Sequence, residues 1–187
     1  MDHLSQLLHL LDQANHLKQL PRTGWLFAGV AAPESIAEHT CVTALLTLFM
    51  GEQINADWVN QGLDCPLDVA KAARMALLHD LAESVVTDFP KRTTKLIGSQ
   101  IKHDAEAAAL RQILGDLPSS SHDQRLCQEY TAALTAEARL VKDADMLEMI
   151  HQARKYKARG HTNLDEFLAP PPFYFPLSQA LFDALIN

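Results

Sequence analysis

Apolar residues recur at helical spacing along the first half of the chain, without the alternation typical of a half-buried strand. The spacing predicts a first amphipathic helix that ends before Pro21 and carries Leu4, Leu7, Leu8, Leu11 and Ala14. A second helix is predicted to run to about Gln53, with Ser35 as its N-cap and Glu38 at the capping-box position. A polar connection over 54–66 then leads into a third predicted helix over about 67–84.

The second half continues the helical pattern around two irregular stretches. Residues 85–98 contain Pro90, Gly98 and many Thr and Lys residues, which predicts an ordered loop. Further helices are predicted at about 99–115, 122–134 and 135–159, with Gly160 at the C′ position of the last. Residues 161–176 hold four prolines and predict an irregular, stiff crossing before a short final helix over 177–186. The pattern therefore predicts an all-α fold.

Length and composition favour one soluble unit. A chain of 187 residues with 48% apolar content suits a single domain over 1–187 with one buried core. It has no apolar run long enough to cross a bilayer and no signal-peptide pattern at its N-terminus. Cys41, Cys65 and Cys127 lie far apart, which favours free thiols in a reducing compartment. We therefore expect a cytoplasmic protein with no membrane partner.

The charge balance limits the class of ligand. The net charge is -7, from 23 acidic and 16 basic residues, which argues against a nucleic acid polymer as the main partner. A small anion can still bind at a local positive site.

Four residues stand in a pattern that predicts a metal site: His39, His79, Asp80 and Asp145. His79 and Asp80 are adjacent within an apolar stretch, and burying a carboxylate costs several kcal/mol unless it is compensated. A divalent cation compensates it, and imidazole and carboxylate are ligands that such ions accept. Glu83 follows three and four residues later, so on a helix it lies on the same side.

The alternative is purely structural: His79 caps a packed core and Asp80 pairs with a base such as Lys142. A lone His-Asp pair would favour that interpretation. His39, Asp145 and Glu83 stand in matching contexts, and together they favour a metal site. Two imidazoles and two carboxylates suit Mn²⁺, Co²⁺, Fe²⁺, Ni²⁺, Mg²⁺ or Zn²⁺, and the sequence does not choose among these ions.

Five motifs carry a resemblance to a known family: Pro21–Trp25 (PRTGW), Pro33–His39 (PESIAEH), His79–Glu83 (HDLAE), Asp88–Pro90 (DFP) and Val141–Asp145 (VKDAD). In this order they resemble the HD-domain metal-dependent phosphohydrolases, and within them the HD-domain 5'-deoxynucleotidases. The motifs cover 21–145 and leave further helices and the proline-rich crossing at 146–187.

The resemblance implies a compact helical HD-domain bundle with a metal site between helices. It implies hydrolysis of deoxyribonucleoside 5'-monophosphates to a deoxynucleoside and phosphate. The ligands would be His39, His79, Asp80 and Asp145, and a bound ion would lower the pKa of water and neutralise phosphoryl charge. Other open interpretations are a different small phosphate, a phosphodiester, a nucleotide polyphosphate, or a metal-stabilised interaction module. Relatives are often homodimers.

The resemblance also assigns roles around the metal. Glu83, Asp88 and the main-chain carbonyl of Phe89 would hold a second ion, or Glu83 and Asp88 would transfer protons. Asp88 has a structural alternative as a turn residue in its loop. Thr87, just before it, stands where relatives often have Gly, so the loop geometry is expected to differ slightly.

Two residues of the first motif would contact the substrate. Arg22 would orient the phosphate, and Trp25 would lie beside the sugar, where a ribose 2'-hydroxyl would crowd it. The structural alternative is a surface Arg and a Trp that fills a gap between helices. Lys91, with Arg92 and Lys95, forms a basic run that either attracts the phosphate or is a solvated face.

Overall fold

Helices make up nearly all the regular structure in the computed structural model, which describes residues 3–187. The helices are α1 (His3–His16), α2 (Thr23–Phe27), α3 (Ile36–Ala56), α4 (Val69–Leu78), α5 (Glu83–Val86), α6 (Lys91–Ile97), α7 (Ser99–Leu114), α8 (Ser120–Ala132), α9 (Ala136–Ala158), a 3-10 helix (Asp165–Phe167) and α10 (Pro176–Ile186). Within 3–187 there is no strand, only an isolated bridge between Pro21 and Ser35. The predicted all-α class is confirmed.

The main core lies where α3, α4 and α9 pack against one another. Met50, Met75 and Leu147 are buried there, one from each helix. A Cβ at Gly51 would lie 3.0 Å from the Val69 side chain and 3.1 Å from that of Leu140, so α3 approaches its neighbours closely. This packing brings three separate stretches of sequence to one point.

Side-chain caps fix where these three helices begin. Ser35 and Glu38 form the predicted capping box of α3, in which Ser35 Oγ accepts from Glu38 N and Glu38 Oε2 accepts from Ser35 N. Asp68 caps α4 by accepting from Lys71 N at 2.9 Å. Thr135 caps α9 by accepting from Ala138 N at 3.2 Å. At the other end of α9, Gly160 has the positive φ (96°) expected at C′.

The predicted third helix, over 67–84, is wrong as one continuous element. It is interrupted after Leu78, and residues 79–82 form a turn in which Leu81 N donates to Leu78 O and Glu83 N donates to Asp80 O. His79 Nδ1 lies 2.6 Å from Ala76 O and so satisfies a carbonyl at the end of α4. His79 and Asp80 therefore sit at a helix end, where both can face one cavity.

The predicted loop over 85–98 contains a helix that the composition did not indicate. α6 starts directly after Pro90, whose carbonyl accepts from Thr93 N at 2.9 Å and Thr94 N at 3.0 Å. Gly98, with φ of 91°, separates α6 from α7. Threonines and lysines suggested a loop, but the hydrogen bonds to Pro90 and the stop at Gly98 permit one short helix.

The first helix forms as predicted, but its leucines are largely exposed: Leu4, Leu7, Leu8 and Leu11. The buried residue of α1 is Gln6, whose Nε2 donates to Ile113 O at 2.7 Å.

Among residues 3–187, none of the helices combines the length and apolar character needed to cross a membrane.

The proline-rich crossing is attached to α9 by one buried carboxylate. Asp143, which is 3% exposed, accepts from Tyr174 N at 3.0 Å and from Phe175 N at 3.1 Å. Burial raises the pKa of Asp143, and the two backbone donors oppose that shift. This contact leads the chain from the crossing into α10.

Replacing Asp143 with Ala leaves two backbone N–H groups without their acceptor. We expect Asp143→Ala to lower the free energy of unfolding by about 2–3 kcal/mol, as for buried donors that lose a charged partner. Urea denaturation at pH 7 measures it. The matched control is Asp183→Ala, at an exposed position of α10, expected within about 0.5 kcal/mol of wild type. Equal losses in both variants would contradict the anchoring role.

Candidate active site

The four predicted metal ligands converge on one point. His39 Nε2 of α3 lies 3.2 Å from Asp145 Oδ1 of α9 and 3.7 Å from Asp80 Oδ2. His79 Nε2 lies 3.2 Å from the same Asp80 oxygen. His39, His79 and Asp145 can each offer a ligand atom within 4.8 Å of the others. Asp80 adjoins this set through both imidazoles.

The donor atoms fit a divalent cation. The Nε2 atoms of His39 and His79 are buried and have no hydrogen-bond partner among the described residues, since the nearby carboxylates lack hydrogen-bond geometry. Their Nδ1 atoms face acceptors, Glu148 Oε2 for His39 and Ala76 O for His79, each at 2.6 Å. An imidazole that donates from Nδ1 presents the lone pair of Nε2 to a metal.

The ionisable groups at this point shift one another's pKa values. Burial and Arg22 disfavour protonation of His39, but Asp145 and Glu148 outweigh them and raise the pKa of His39 to about 9. Burial alone would raise the pKa of Asp80, yet His79, Arg22 and His39 lower it well below its usual range. His39 and His79 likewise depress the pKa of Asp145 against the effect of burial. Both carboxylates are therefore anionic, and a cation bound at Nε2 would take the place of the proton that His39 carries without metal.

Two residues that the sequence interpretation missed support the ligands. Glu148 contacts the Nδ1 side of the His39 ring. It stands three residues after Asp145 on α9, and this helical spacing could have indicated that the two side chains lie on the same side of the helix. Tyr130 of α8 donates from its hydroxyl to Asp145 Oδ2 at 2.9 Å and packs edge-on against His79. Burial raises the pKa of Tyr130 well above its usual value, so it stays a donor. Nothing in the local sequence of α8 indicated this role.

Asp80 pairs with Arg22 and not with Lys142. Arg22 Nη1 donates to Asp80 Oδ2 at 3.3 Å, whereas Lys142 Nζ lies 4.1 Å above the ring of Tyr130. Burial lowers the pKa of Lys142. The purely structural interpretation of Asp80 therefore named the wrong partner.

These groups open on a cavity of about 310 Å³. Its walls include most of the predicted site residues: Arg22, Trp25, His79, Asp80, Glu83, Asp88, Phe89, Lys91 and Asp145. His39 lies behind them, fully buried. Further lining residues that the sequence did not indicate are Lys102, His103, Glu106, Tyr130, Lys142 and Phe167. Arg92 of the basic run also lines the cavity and pairs with Glu166 at 3.7 Å, whereas Lys95 does not line it.

Trp25 is packed between elements and also lines the cavity. It is 1% exposed, and its ring packs against Phe167 (centroids 4.3 Å apart) and edge-on against Tyr156 (5.2 Å). Its Nε1 donates to Glu34 Oε1 at 2.9 Å. Trp25 thus fills a gap between elements, as the structural alternative held, while it still forms part of the cavity wall.

Glu83 and Asp88 lie beside the predicted ligands and differ in their hydrogen-bond partners. Glu83 is 3% exposed, its Oε2 has no hydrogen-bond partner among residues 3–187, and burial with the nearby Asp80 and Asp88 raises its pKa well above the usual value. Asp88 Oδ2 instead accepts from Thr23 N at 2.6 Å. The Phe89 carbonyl faces Thr94 Oγ1 at 3.4 Å.

Thr87 adopts the backbone conformation that a glycine would. Its φ of 65° and ψ of 169° fall in a region used almost only by Gly. Thr was expected to change the loop geometry at this position. The chain instead keeps a positive φ at Thr87, at the cost of backbone strain.

The fold and the site define an all-α domain with a candidate divalent-metal centre where helices meet. Residues 14–169 match the family model described as HD domain, and the chain belongs to this family. The chain is 33% identical to human 5'-deoxynucleotidase HDDC2 over 158 residues, which is 83% of this chain and 70% of that protein. It is 32% identical to 5'-deoxynucleotidase hdd1 of Schizosaccharomyces pombe over 86% of this chain and 78% of that one.

A solved structure supports the same fold assignment. The PH0347 protein from Pyrococcus horikoshii superposes with a TM-score of 0.77 at 34% identity and covers 96% of each chain. The family predicted from the five motifs is confirmed.

Replacing Thr87 with Gly should stabilise the protein. Relief of strain of about 1–3 kcal/mol exceeds the entropy cost of a glycine, about 0.5–1 kcal/mol, so we expect a net gain of about 1 kcal/mol in unfolding free energy. Thermal and urea denaturation measure it. The control is Thr93→Gly within α6, which should lose about 0.5–1 kcal/mol. A loss in both variants would show that Thr87 is not strained.

Proposed function

We propose that this protein is a metal-dependent phosphomonoesterase that hydrolyses deoxyribonucleoside 5'-monophosphates to a deoxynucleoside and phosphate. The observation that carries the proposal is the pair of unpartnered imidazole Nε2 atoms beside two carboxylates, which line a cavity together with Arg22. The relatives named 5'-deoxynucleotidase, at about one-third identity over most of this chain, support this substrate class.

His39, His79, Asp80 and Asp145 would hold the divalent cation, drawn from Mn²⁺, Co²⁺, Mg²⁺, Fe²⁺, Ni²⁺ and Zn²⁺. When bound, such an ion supplies Lewis acidity, which lowers the pKa of water and offsets phosphoryl charge. Glu148, Ala76 O and Tyr130 keep the ligands in place through the hydrogen bonds described above.

Arg22 binds the phosphate in this proposal. One Nη1 hydrogen bond holds its guanidinium against Asp80, and a guanidinium has five donors, so others remain for phosphate oxygens. Lys91 at the cavity wall adds positive charge where the substrate enters.

Glu83 and Asp88 are the proposed proton-transfer pair. Glu83 is buried beside Asp80 with one carboxyl oxygen free of protein partners, which suits it to protonate the 5'-oxygen as it leaves. Asp88 is fixed by Thr23 N and suits orientation of the attacking water. A second cation held by Glu83, Asp88 and the Phe89 carbonyl is the alternative use of the same groups.

Selection for deoxyribose is assigned to Trp25. Its ring is packed on two sides, which limits its movement away from a ribose 2'-hydroxyl. Rejection by a rigid wall needs no new attraction to the deoxy sugar.

The proposed setting is the cytoplasm, in keeping with the three free thiols, and a homodimer remains a prediction.

The test is phosphate release from nucleoside 5'-monophosphates, each supplied in its 2'-deoxy and ribo form. The protein is stripped of metal and resupplied with Mn²⁺, Co²⁺, Mg²⁺ or Zn²⁺. We expect no release without metal and, after resupply, release from the deoxy forms at least about tenfold faster in kcat/KM, equivalent to about 1.4 kcal/mol of discrimination.

Arg22→Ala and the exposed Arg154→Ala of α9 form a matched pair in the same assay. We expect kcat/KM to fall by about 100-fold or more in the first, since a charge-assisted phosphate contact is worth about 3 kcal/mol, and to hold in the second. Equal release from both sugars would remove the role of Trp25. No release with any metal would contradict the phosphomonoesterase itself.

A further inference from the structure

Glu34 is bonded to both elements of the predicted substrate site. Its carbonyl accepts from Arg22 N at 3.0 Å, and its Oε1 accepts from Trp25 Nε1 at 2.9 Å. Its own N–H donates to the Tyr156 hydroxyl of α9 at 2.8 Å. One residue, which the sequence analysis left without chemistry, thus holds the α2 segment against the helix that carries Asp145.

On its other side, the Glu34 carboxylate lies next to His39 and Glu148, which belong to the candidate metal site and its surroundings. A carboxylate oxygen of Glu34, one of Glu148 and a nitrogen of His39 lie within 4.8 Å of one another. His39 Nδ1 and Glu148 Oε2 are already bonded to each other at 2.6 Å. The Glu34 carboxylate therefore lies between the indole of Trp25 and the group that holds a metal ligand.

The remaining ring contacts of Trp25 are apolar. Phe167 covers one face and Tyr156 meets it edge-on. A Cβ at Gly24 would lie 3.3 Å from Phe167 Cε1, so this packing is close. Apolar packing has no directional preference of its own, whereas a hydrogen bond does, so the bond to Glu34 favours one placement of the indole edge within this packing. Glu34 supplies the directional bond.

We propose that Glu34 is a positioning residue that sets the sugar selectivity of this site by holding the Trp25 indole in place. Glu34 is not among the residues that line the cavity, so it acts through Trp25 and not on the substrate. This inference rests on the proposed 5'-deoxynucleotidase function, and it adds the residue on which discrimination between the two sugars depends.

Three substitutions at Glu34 separate hydrogen bonding from charge. Burial raises the pKa of Glu34 to about 7, so the variants are compared above that pH. Glu34→Ala removes the acceptor, Glu34→Asp keeps a carboxylate but shortens the reach, and Glu34→Gln keeps an acceptor of the same reach that cannot ionise. All three are made in a Trp58→Phe background, which leaves Trp25 as the one tryptophan of the chain. Glu52→Ala, an exposed glutamate of α3, is the matched control.

The first readout is the ratio of kcat/KM for 2'-deoxyadenosine 5'-monophosphate to that for adenosine 5'-monophosphate. We expect the ratio to fall about tenfold in Glu34→Ala and by several-fold in Glu34→Asp, and to stay within about threefold of the parent in Glu34→Gln and Glu52→Ala. The loss should come from faster turnover of the ribonucleotide, because a loosened wall rejects it less.

The second readout is acrylamide quenching of Trp25 fluorescence, which needs no substrate. Quenching should rise in Glu34→Ala and Glu34→Asp and stay at the parent level in the other two variants. If Glu34→Ala does not fold, Glu34→Asp against Glu34→Gln carries the same comparison.

The outcomes distinguish this inference from the proposed function. An inactive parent protein, or one that does not discriminate between the sugars, would overturn the selectivity claim together with the function on which it rests. A discriminating parent whose ratio and quenching are unchanged in Glu34→Ala and Glu34→Asp would overturn the role of Glu34 alone. An equal fall in Glu34→Gln would show that charge, and not the hydrogen bond to the indole, is what matters.

Discussion

The junction of α3, α4 and α9 holds buried imidazole nitrogens that the protein does not satisfy, and the rest of the site depends on this fact. Nε2 of His39 and of His79 point to the same place as Asp80 and Asp145, and neither nitrogen has a hydrogen-bond partner within the described chain. Leaving buried polar atoms unpaired costs about 1–3 kcal/mol each. A divalent cation removes that cost, while Glu148 fixes His39 so that its free nitrogen cannot turn away.

In the proposed function, the surrounding elements make this junction a site for a phosphate ester. Arg22 reaches Asp80 from the N-terminus of α2, so the proposed phosphate-binding group and a candidate metal ligand share one hydrogen bond. Glu34 ties that segment to α9 through Tyr156 and holds Trp25 at the cavity. The residues proposed to recognise metal, phosphate and sugar are therefore joined in one hydrogen-bonded network.

Much of this was predictable because periodicity and caps are local properties. The Ser35 capping box and Gly160 at C′ were read directly from short patterns. The four candidate ligands were chosen by residue type and context, and the structure brings them close together. The break after Leu78 and the helix after Pro90 were missed, since both depend on hydrogen bonds that compete with the average preference of the segment. Tyr130 acquires its role only through packing, which no spacing along the chain reveals.

The most direct test of the central claim is the position of the metal. Crystals of the metal-stripped protein soaked in Mn²⁺ can be measured at the Mn absorption edge, where the ion gives an anomalous peak. The account predicts a peak bounded by the Nε2 atoms of His39 and His79 and the carboxylates of Asp80 and Asp145. A peak on the opposite side of His39, at Nδ1 beside Glu148, or no peak at the junction, would contradict it.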